Sequence, residues 1–232
     1  MCGRITLKAP AGEVAAQFEL AEPPVLEPRY NIAPTQPVLA VRRTPDGARR
    51  GDLLQWGLIP PWSTDPRVGA KMFNARSETV MDKPAFAEAF SRRRCLVPVD
   101  GFYEWRKLPG GRQPYWFSAA GGGLLALAGL WERWEYPGGR VIESCSILTT
   151  AANQLMRRVH HRMPVIVPGD HHERWLTAPP GQAAELRDLL TPAPESLLQR
   201  WPVAPLVGNV RHDGPELIAP VHDDPPDQLN LF

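Results

Sequence analysis

The chain has 232 residues, of which 43% are hydrophobic and 22% are charged, and its formal net charge is +1. This composition is ordinary for a globular protein with a buried core, and the near-zero charge excludes polyanion binding through overall charge alone. No apolar run approaches the ~20 residues that span a bilayer, and no apolar signal core follows Arg4 and Lys8, so we expect neither membrane insertion nor secretion.

Twenty-seven prolines and 19 glycines divide the chain into short elements, which favours a β-rich fold with few helices. Apolar residues spaced i,i+4 predict helices, and alternating or Val-, Ile-, Trp- and Tyr-rich runs predict strands. In chain order we predict a helix over 12–20, strands over 38–43 and 53–58, a helix over 85–93, strands over 95–105, 115–118, 124–134 and 142–149, a helix over 152–159, a strand over 162–167 and a helix over 182–190. A turn at Pro137-Gly138-Gly139 is expected to join two of the strands.

These elements predict a single α+β domain over residues 2–220, built on a curled or barrel-like antiparallel β-sheet with a few peripheral helices. From Pro220 onward the sequence is rich in Asp and Pro, so residues 221–232 are predicted to form a disordered tail. The three cysteines, Cys2, Cys95 and Cys145, form no C-x-x-C motif, which favours a reducing compartment and disfavours a disulfide framework or a zinc site.

Cys2 follows the initiator methionine, and a small residue at this position normally allows Met1 to be removed. The new N-terminus would carry an amine and a thiol on adjacent carbons, with reference pKa values of about 7.7–8.0 and about 8.5. Such a 1,2-aminothiol condenses with an aldehyde to a Schiff base, and the sulfur then closes a thiazolidine ring. The alternative is that position 2 is a frayed terminus with no function.

The cationic residues are 22 arginines and four lysines, and the arginines occur in clusters such as Arg92-Arg93-Arg94 and Arg157-Arg158. The planar guanidinium suits bidentate phosphate contacts and stacking on bases, which favours a nucleic-acid partner. The alternative is a genome of high GC content, which enriches arginine at the expense of lysine.

Three further segments, residues 71–78, 97–105 and 159–167, place reactive side chains within apolar surroundings. They contribute Asn74 and Arg76, Glu104, and His160 and Arg162, respectively. Each also has a structural explanation: Asn74 in a turn, an Arg76–Glu78 surface pair, Glu104 on a solvated strand face, or His160 and His161 at a helix C-terminus. A metal site is disfavoured because adjacent histidines do not face one way and no H-E-x-x-H motif is present.

In combination these segments resemble the SRAP family, the SOS-response-associated peptidase-like proteins that process abasic sites in DNA. The matching features occur in family order over about residues 2–220: Cys2-Gly3-Arg4, Tyr30-Asn31-Ile32-Ala33-Pro34-Thr35, Trp56-Gly57-Leu58-Ile59-Pro60-Pro61-Trp62, Asn74-Ala75-Arg76-Ser77-Glu78, the segment 98–105, and His160-His161-Arg162-Met163-Pro164.

The resemblance implies a sensor of abasic sites in single-stranded DNA that forms a covalent thiazolidine crosslink through Cys2 after Met1 removal. It implies catalytic roles for Cys2, for Asn74 in orientation, and for Glu104 and His160 in proton transfer. Alternation along an extended chain places only one of the two histidines in the site, and we predict His160. The DNA-contacting residues it implies are Arg4, Arg76 and Arg162 at phosphates, and Pro34, Trp62 and Trp105 at bases.

No cofactor or metal is expected, and the protein is expected to be a monomer in the bacterial cytoplasm, at the nucleoid or replication fork. Schiff-base chemistry also permits lyase activity by β-elimination, and removal of Met1 is a candidate autoproteolytic reaction. One alternative function is a thiol peptidase that uses Cys2, Asn74 and His160. Another is a non-catalytic single-stranded DNA-binding protein.

The last five residues, Gln228-Leu229-Asn230-Leu231-Phe232, look like the bacterial pentapeptide that binds the replication sliding clamp. In this interpretation Gln228, Leu229, Leu231 and Phe232 form the binding motif at the end of the tail. The alternative is a tail strand that folds back onto the domain.

Overall fold

The structure is a computed structural model that describes residues 2–136, 138–139 and 141–221. Within these residues the strands are β1 (Ile5–Leu7), β2 (Arg29–Ile32), β3 (Pro37–Arg43), β4 (Arg49–Trp56), β5 (Asn74–Arg76), β6 (Arg94–Val99), β7 (Gly101–Leu108), β8 (Gly111–Ala119), β9 (Leu125–Glu135), β10 (Val141–Ala151), β11 (Arg162–Pro164) and β12 (Leu198–Pro202). The helices are α1 (Ala11–Phe18), α2 (Ala87–Arg92), α3 (Gln154–Arg157) and α4 (His172–Thr177). Short 3₁₀ helices cover Pro66–Lys71, Gly169–His171, Pro180–Leu190, Glu195–Leu197, Pro205–Gly208 and Pro215–Ile218.

Five strands close into a barrel in the order β4-β3-β6-β9-β10, and β10 returns to pair with β4. Fully buried side chains such as Trp56, Val97, Leu127 and Ile147 belong to its core. Burying one large aliphatic side chain stabilises a fold by about 1.5–3 kcal/mol, so the long buried stretches of β6, β9 and β10 stabilise the barrel. The predicted α+β domain with a barrel-like sheet is confirmed.

The sheet is mixed rather than wholly antiparallel, which corrects the prediction. β10 pairs in parallel with β4 at Cys145 and Trp56, and in parallel with β5 at Leu148 and Ala75. Neither parallel pairing joins strands that follow each other in the chain, and alternation within one strand carries no information about its partner's direction.

A second, antiparallel sheet has the order β12-β8-β7-β1-β2. The predicted strand 95–105 is divided at Asp100 into β6 of the barrel and β7 of this second sheet. The Asp100 carboxylate accepts hydrogen bonds from the backbone N–H groups of Lys8 and Ala9. Only glycine fits at Gly101, because a Cβ there would lie 2.3 Å from the carbonyl oxygen of Phe117. The chain therefore leaves the barrel at β6 and enters the second sheet as β7, which carries Glu104.

Three of the four predicted helices are α-helical at their predicted places, although shorter, as α1, α2 and α3. The segment predicted as a helix over 182–190 is a 3₁₀ helix, Pro180–Leu190, so the predicted type is wrong. Its buried residues Ala183, Leu186 and Leu189 recur every three positions, which matches 3.0 residues per turn. None of the helices in the described residues is long and apolar enough to cross a membrane.

The predicted hairpin between β9 and β10 is confirmed, with Glu135 opposite Val141; Pro137 of its turn lies outside the described residues. The fold extends to Val221, whose N–H donates to the carbonyl of Pro202 at 3.0 Å. Val221 is the first residue of the predicted tail 221–232, so the tail prediction is wrong for this residue. The rest of the tail, including the candidate clamp-binding residues Gln228, Leu229, Leu231 and Phe232, lies outside the described residues.

Candidate active site

Cys2 enters the molecule at the end of the second sheet. β1 lies between β2 and β7, and the carbonyl of Arg4 accepts a hydrogen bond from the N–H of Tyr103 at 2.9 Å. This pairing leads Cys2 toward Glu104, and its side chain is fully buried. Burial, together with the negative charge of Glu104, raises the pKa of the Cys2 thiol far above its usual range. The sulfur is therefore held as a neutral thiol.

Asn74 fixes the backbone of Cys2, because its side-chain Nδ2 donates to the Cys2 carbonyl at 2.6 Å. It lies in β5, and the preceding residue Phe73 accepts hydrogen bonds from the Trp56 indole at 2.8 Å and the Ile147 N–H at 3.1 Å. Asn74 is therefore a strand residue directed at Cys2, and the interpretation as a turn residue is wrong.

Glu104 is buried on β7, with 3% of its surface exposed, so the interpretation as a solvated strand residue is wrong. Its Oε1 lies 3.9 Å from Nδ1 of His160. Burial raises the pKa of Glu104. Burial is also the largest cause that lowers the pKa of His160, and the positive charges of Arg162 and Lys107 act in the same direction.

These opposite shifts favour a carboxylic acid that can donate a proton next to a neutral imidazole that can accept one. The two pKa values move toward each other, which lowers the free-energy difference for passing a proton between the two groups.

The structure places His160 beside Glu104, whereas His161 is exposed. Nδ1 of His160 lies 3.1 Å from the backbone nitrogen and 3.2 Å from the carbonyl oxygen of Arg162, which fixes the ring orientation. The two histidine rings are 4.4 Å apart. Helix α3 ends at Arg157, so the histidines follow the helix rather than belong to it.

Arg162 and Arg76 flank the end of β10, where Thr149 lies opposite Arg76. Glu78 binds the Arg162 guanidinium with both carboxylate oxygens, and the Thr149 carbonyl accepts from Arg162 Nη2 at 2.6 Å. The interpretation of Arg76 and Glu78 as a surface ion pair is therefore wrong. Arg76 is exposed and forms no ion pair with any other described residue.

Arg4 was predicted to contact a phosphate, but its guanidinium forms hydrogen bonds to other residues of the protein. Its Nη1 donates to Oδ1 of Asn31 and to the carbonyl of Val207, each at 2.5 Å. Its guanidinium carbon lies 5.8 Å from the centre of the Trp105 ring. The sequence interpretation missed Asn31, a fully buried side chain within the quoted motif at 30–35 that also donates to the His212 carbonyl at 2.7 Å.

The remaining predicted contact residues lie on separate segments. Pro34 precedes Thr35, whose N–H donates to the Trp56 carbonyl at 2.7 Å, and the Trp56 indole donates to the carbonyl of Phe73, the residue before Asn74. Trp62 is 64% exposed on a different loop. No hydrogen bond, ion pair or ring contact within the described residues joins Trp62 to the Cys2 site.

Four residues thus form one connected group: Cys2, Asn74, Glu104 and His160. It combines a neutral thiol, a side-chain amide that is hydrogen-bonded to the backbone of the thiol residue, and a carboxylic acid next to a neutral imidazole. In the described part of the chain no cluster of three or more His, Cys, Asp or Glu side chains is arranged to hold a metal ion. The arrangement suits covalent catalysis with proton transfer.

Comparison with known proteins places this chain in a family. The model of the SOS response associated peptidase (SRAP) family matches residues 1–210. The abasic site processing protein YoqW of Bacillus subtilis (strain 168) is 37% identical over 222 residues, which cover 94% of this chain and 99% of that protein. The abasic site processing protein HMCES of Gallus gallus is 33% identical over 225 residues, which cover 84% of this chain and 66% of that protein. A crystal structure of a protein from Bacteroides thetaiotaomicron matches with a TM-score of 0.84 at 26% identity, covering 95% of this chain and 100% of that one.

Proposed function

The chain belongs to the SOS response associated peptidase (SRAP) family, and we propose that it processes abasic sites in single-stranded DNA by capturing the lesion covalently on Cys2. The observation that carries this proposal is the position of the buried Cys2 thiol within the electrostatic reach of Glu104, whose carboxyl oxygen lies 3.9 Å from His160 Nδ1. The target follows from the relatives, which are named abasic site processing proteins.

The reaction needs both nucleophiles of Cys2, so Met1 is removed first. An abasic deoxyribose opens to an aldehyde at C1′, and the Cys2 amine adds to this carbon to form a carbinolamine. Loss of the hydroxyl group as water leaves an iminium ion. The Cys2 sulfur then bonds to C1′, its proton leaves, and the iminium electrons return to nitrogen as the thiazolidine closes. The net change is the joining of protein and DNA with loss of one water.

The environment of Cys2 supports this order of bond formation. Because burial raises the thiol pKa, the sulfur is a poor nucleophile before the lesion binds. A cationic iminium beside it would favour the thiolate by direct electrostatic attraction. The amine therefore attacks first, and the sulfur attacks second.

Glu104 and His160 are suited to the proton transfers. A carboxyl group with a raised pKa can protonate the ring oxygen of the sugar, and later the hydroxyl that leaves as water. A neutral imidazole with a lowered pKa can accept a proton from the incoming amine. Asn74, which does not titrate, holds the Cys2 backbone in place through its hydrogen bond.

We infer that Arg76 is the phosphate contact nearest to this site, because it is exposed and has no carboxylate partner among the described residues. Arg162 reaches a phosphate only by exchanging its bidentate partner Glu78. Arg4 acts by holding Asn31 and the Val207 carbonyl. Trp105, Trp62 and Pro34 remain the proposed base contacts, which tolerate any sequence.

A heat-stable crosslink tests the proposal. Protein whose N-terminus is verified as Cys2 by mass spectrometry is incubated with a uracil-containing single strand that has been treated with a glycosylase. We expect a shifted band on a denaturing gel. Mass spectrometry of this product should give the mass of protein plus DNA minus one water. A variant that keeps residues before Cys2 has no free amine there and should give no band. Absence of the band with the verified protein would refute the proposal.

The same experiment separates two competing functions. A thiol peptidase that uses Cys2 requires a reactive thiolate, whereas burial favours the neutral thiol. A purely non-catalytic DNA-binding protein would bind the strand and release it on denaturation. Cleavage of the strand at the lesion alongside the band would add lyase activity by β-elimination.

We further propose that the five C-terminal residues 228–232 bind the replication sliding clamp of the source bacterium. Leu231 and Phe232 would bury their side chains, each worth about 1.5–3 kcal/mol, so replacing both by alanine should weaken clamp binding by about 100-fold or more. Surface plasmon resonance against the purified clamp measures this. The N230A variant, at the variable position of the motif, is the control. Equal binding by all three proteins would contradict the proposal.

A further inference from the structure

A polar cleft of about 370 Å³ lies next to Glu78, the ion-pair partner of Arg162. It is lined by Ser77, Glu78, Met81, Asp82, Arg187 and Leu190. We propose that Arg187 is a positioning residue for DNA binding: when a phosphate binds Arg162, the Glu78 carboxylate crosses this cleft and pairs with Arg187. The inference rests on the proposed function and adds to it an exchange of ion pairs that frees Arg162 for the strand.

The guanidinium of Arg162 already has partners within the protein. Glu78 binds both of its terminal nitrogens, and the Thr149 carbonyl accepts from Nη2 at 2.6 Å. The Arg162 side chain is 13% exposed, whereas the Glu78 side chain is 49% exposed. Glu78 is therefore the member of the pair that is free to move. A phosphate that takes its place carries the same sign of charge, so a carboxylate left beside it would repel the strand.

Arg187 is placed to receive the displaced carboxylate. Its Nε donates to Sδ of Met81 at 3.4 Å, and this weak acceptor holds the guanidinium against the turn that carries Glu78. Arg187 is exposed, and its terminal nitrogens form no hydrogen bond or ion pair with another described residue. These two nitrogens can bind both oxygens of a carboxylate, the geometry that Glu78 loses when it leaves Arg162.

Two other cations near Glu78 fit this role less well. Arg76 is exposed and lies two residues from Glu78, but it is the proposed phosphate contact and the strand itself would neutralise it. Lys83 is exposed and lies five residues from Glu78, but it does not line the cleft. Arg187 is therefore the acceptor that the described residues favour.

The charges of the cleft also argue against a phosphate bound inside it. Glu78 and Asp82 contribute two carboxylates to its lining, whereas Arg187 contributes one guanidinium. A polyanion entering this cleft would meet net negative charge. A carboxylate that moves from Arg162 to Arg187 exchanges one ion pair for another, so the cost of releasing Arg162 is small.

A double-mutant cycle tests the proposal. Binding is measured by fluorescence anisotropy with a single strand that carries tetrahydrofuran, an abasic analogue without an aldehyde. R187A has no guanidinium to receive the carboxylate, so we expect it to bind this DNA about 1.5- to 5-fold more weakly than wild type, the range for one partly exposed ion pair. In E78Q no carboxylate has to leave Arg162. E78Q should therefore bind more tightly than wild type, and adding R187A to E78Q should change nothing.

The dependence on Glu78 separates this exchange from simple attraction between Arg187 and DNA. K83A removes a nearby exposed cation outside the cleft, so any effect that it has should be the same with and without Glu78. R187K keeps a cation in the cleft and should restore most of the binding lost in R187A. Wild-type affinity of R187A would overturn the proposal, as would an equal loss from R187A in the wild-type and E78Q backgrounds.

A stability measurement distinguishes positioning from a structural role. In the free protein Arg187 forms one hydrogen bond with the described residues, the weak one to Met81, so R187A should keep the wild-type Tm. Because the binding assays need neither an aldehyde nor the chemistry of Cys2, their failure is distinct from a failure to crosslink.

Discussion

The C2S variant is expected to form no heat-stable adduct with abasic single-stranded DNA, a complete loss of the wild-type product. Serine keeps the α-amine and the small side chain that allows Met1 to be removed, but its hydroxyl replaces the sulfur that closes the ring. The reaction should therefore stop at the Schiff base, which reverts in water. Treatment with borohydride during the incubation should trap this intermediate in C2S as a covalent band, while untreated C2S shows none on a denaturing gel.

C145A is the matched control, because it removes a second fully buried thiol from the barrel and leaves Cys2 intact. It should crosslink like wild type, at the cost of the small cavity left in the core. A heat-stable band from C2S at the wild-type level would show that another residue holds the DNA. A C2S variant that cannot be trapped by borohydride would contradict attack by the amine.

The long strands of the barrel were predictable because each one carries a pattern of its own. The predicted strands at 124–134 and 142–149 are mostly buried on both faces, and they appear as β9 and β10 within two residues of their predicted ends. The short strands β1 and β5 have three residues each, too few to show alternation. They are nonetheless the strands that bring Cys2 and Asn74 together.

The identities of the candidate site residues were available from the motifs, but their pairings were not. Arg162 binds Glu78, which lies 84 residues away in the chain, rather than leaving Glu78 to its near neighbour Arg76. Arg4 binds Asn31 and the Val207 carbonyl, the latter 203 residues away. Partners of this kind depend on tertiary packing, so local sequence spacing gives no information about them.

The E104Q variant is expected to crosslink about 10²–10⁴-fold more slowly than wild type, because glutamine cannot donate the proton that a carboxylic acid donates. Burial raises the pKa of Glu104, so the protonated form persists to a higher pH than for an exposed glutamate. The amine must be neutral to attack, which favours high pH, and Glu104 must be protonated, which favours low pH. The wild-type rate should therefore pass through a maximum and fall on the alkaline side, whereas the slower E104Q rate should rise with pH and level off.

A stability measurement makes the raised pKa of Glu104 independently testable. The folded state favours the protonated form of Glu104. The contribution of this group to the free energy of unfolding is therefore fully present below its unfolded-state pKa and is lost as the pH rises through its folded-state pKa. E104Q carries no such penalty, so its Tm should exceed that of wild type above neutral pH and the difference should shrink in acid. E132Q is the control. Glu132 is equally buried, and burial also raises its pKa, but its carboxylate pairs with Arg93 at 2.7 Å and is not part of the Cys2 site. E132Q should keep the wild-type rate and its alkaline decline. An alkaline decline that persists in E104Q would assign the proton donor to a different group.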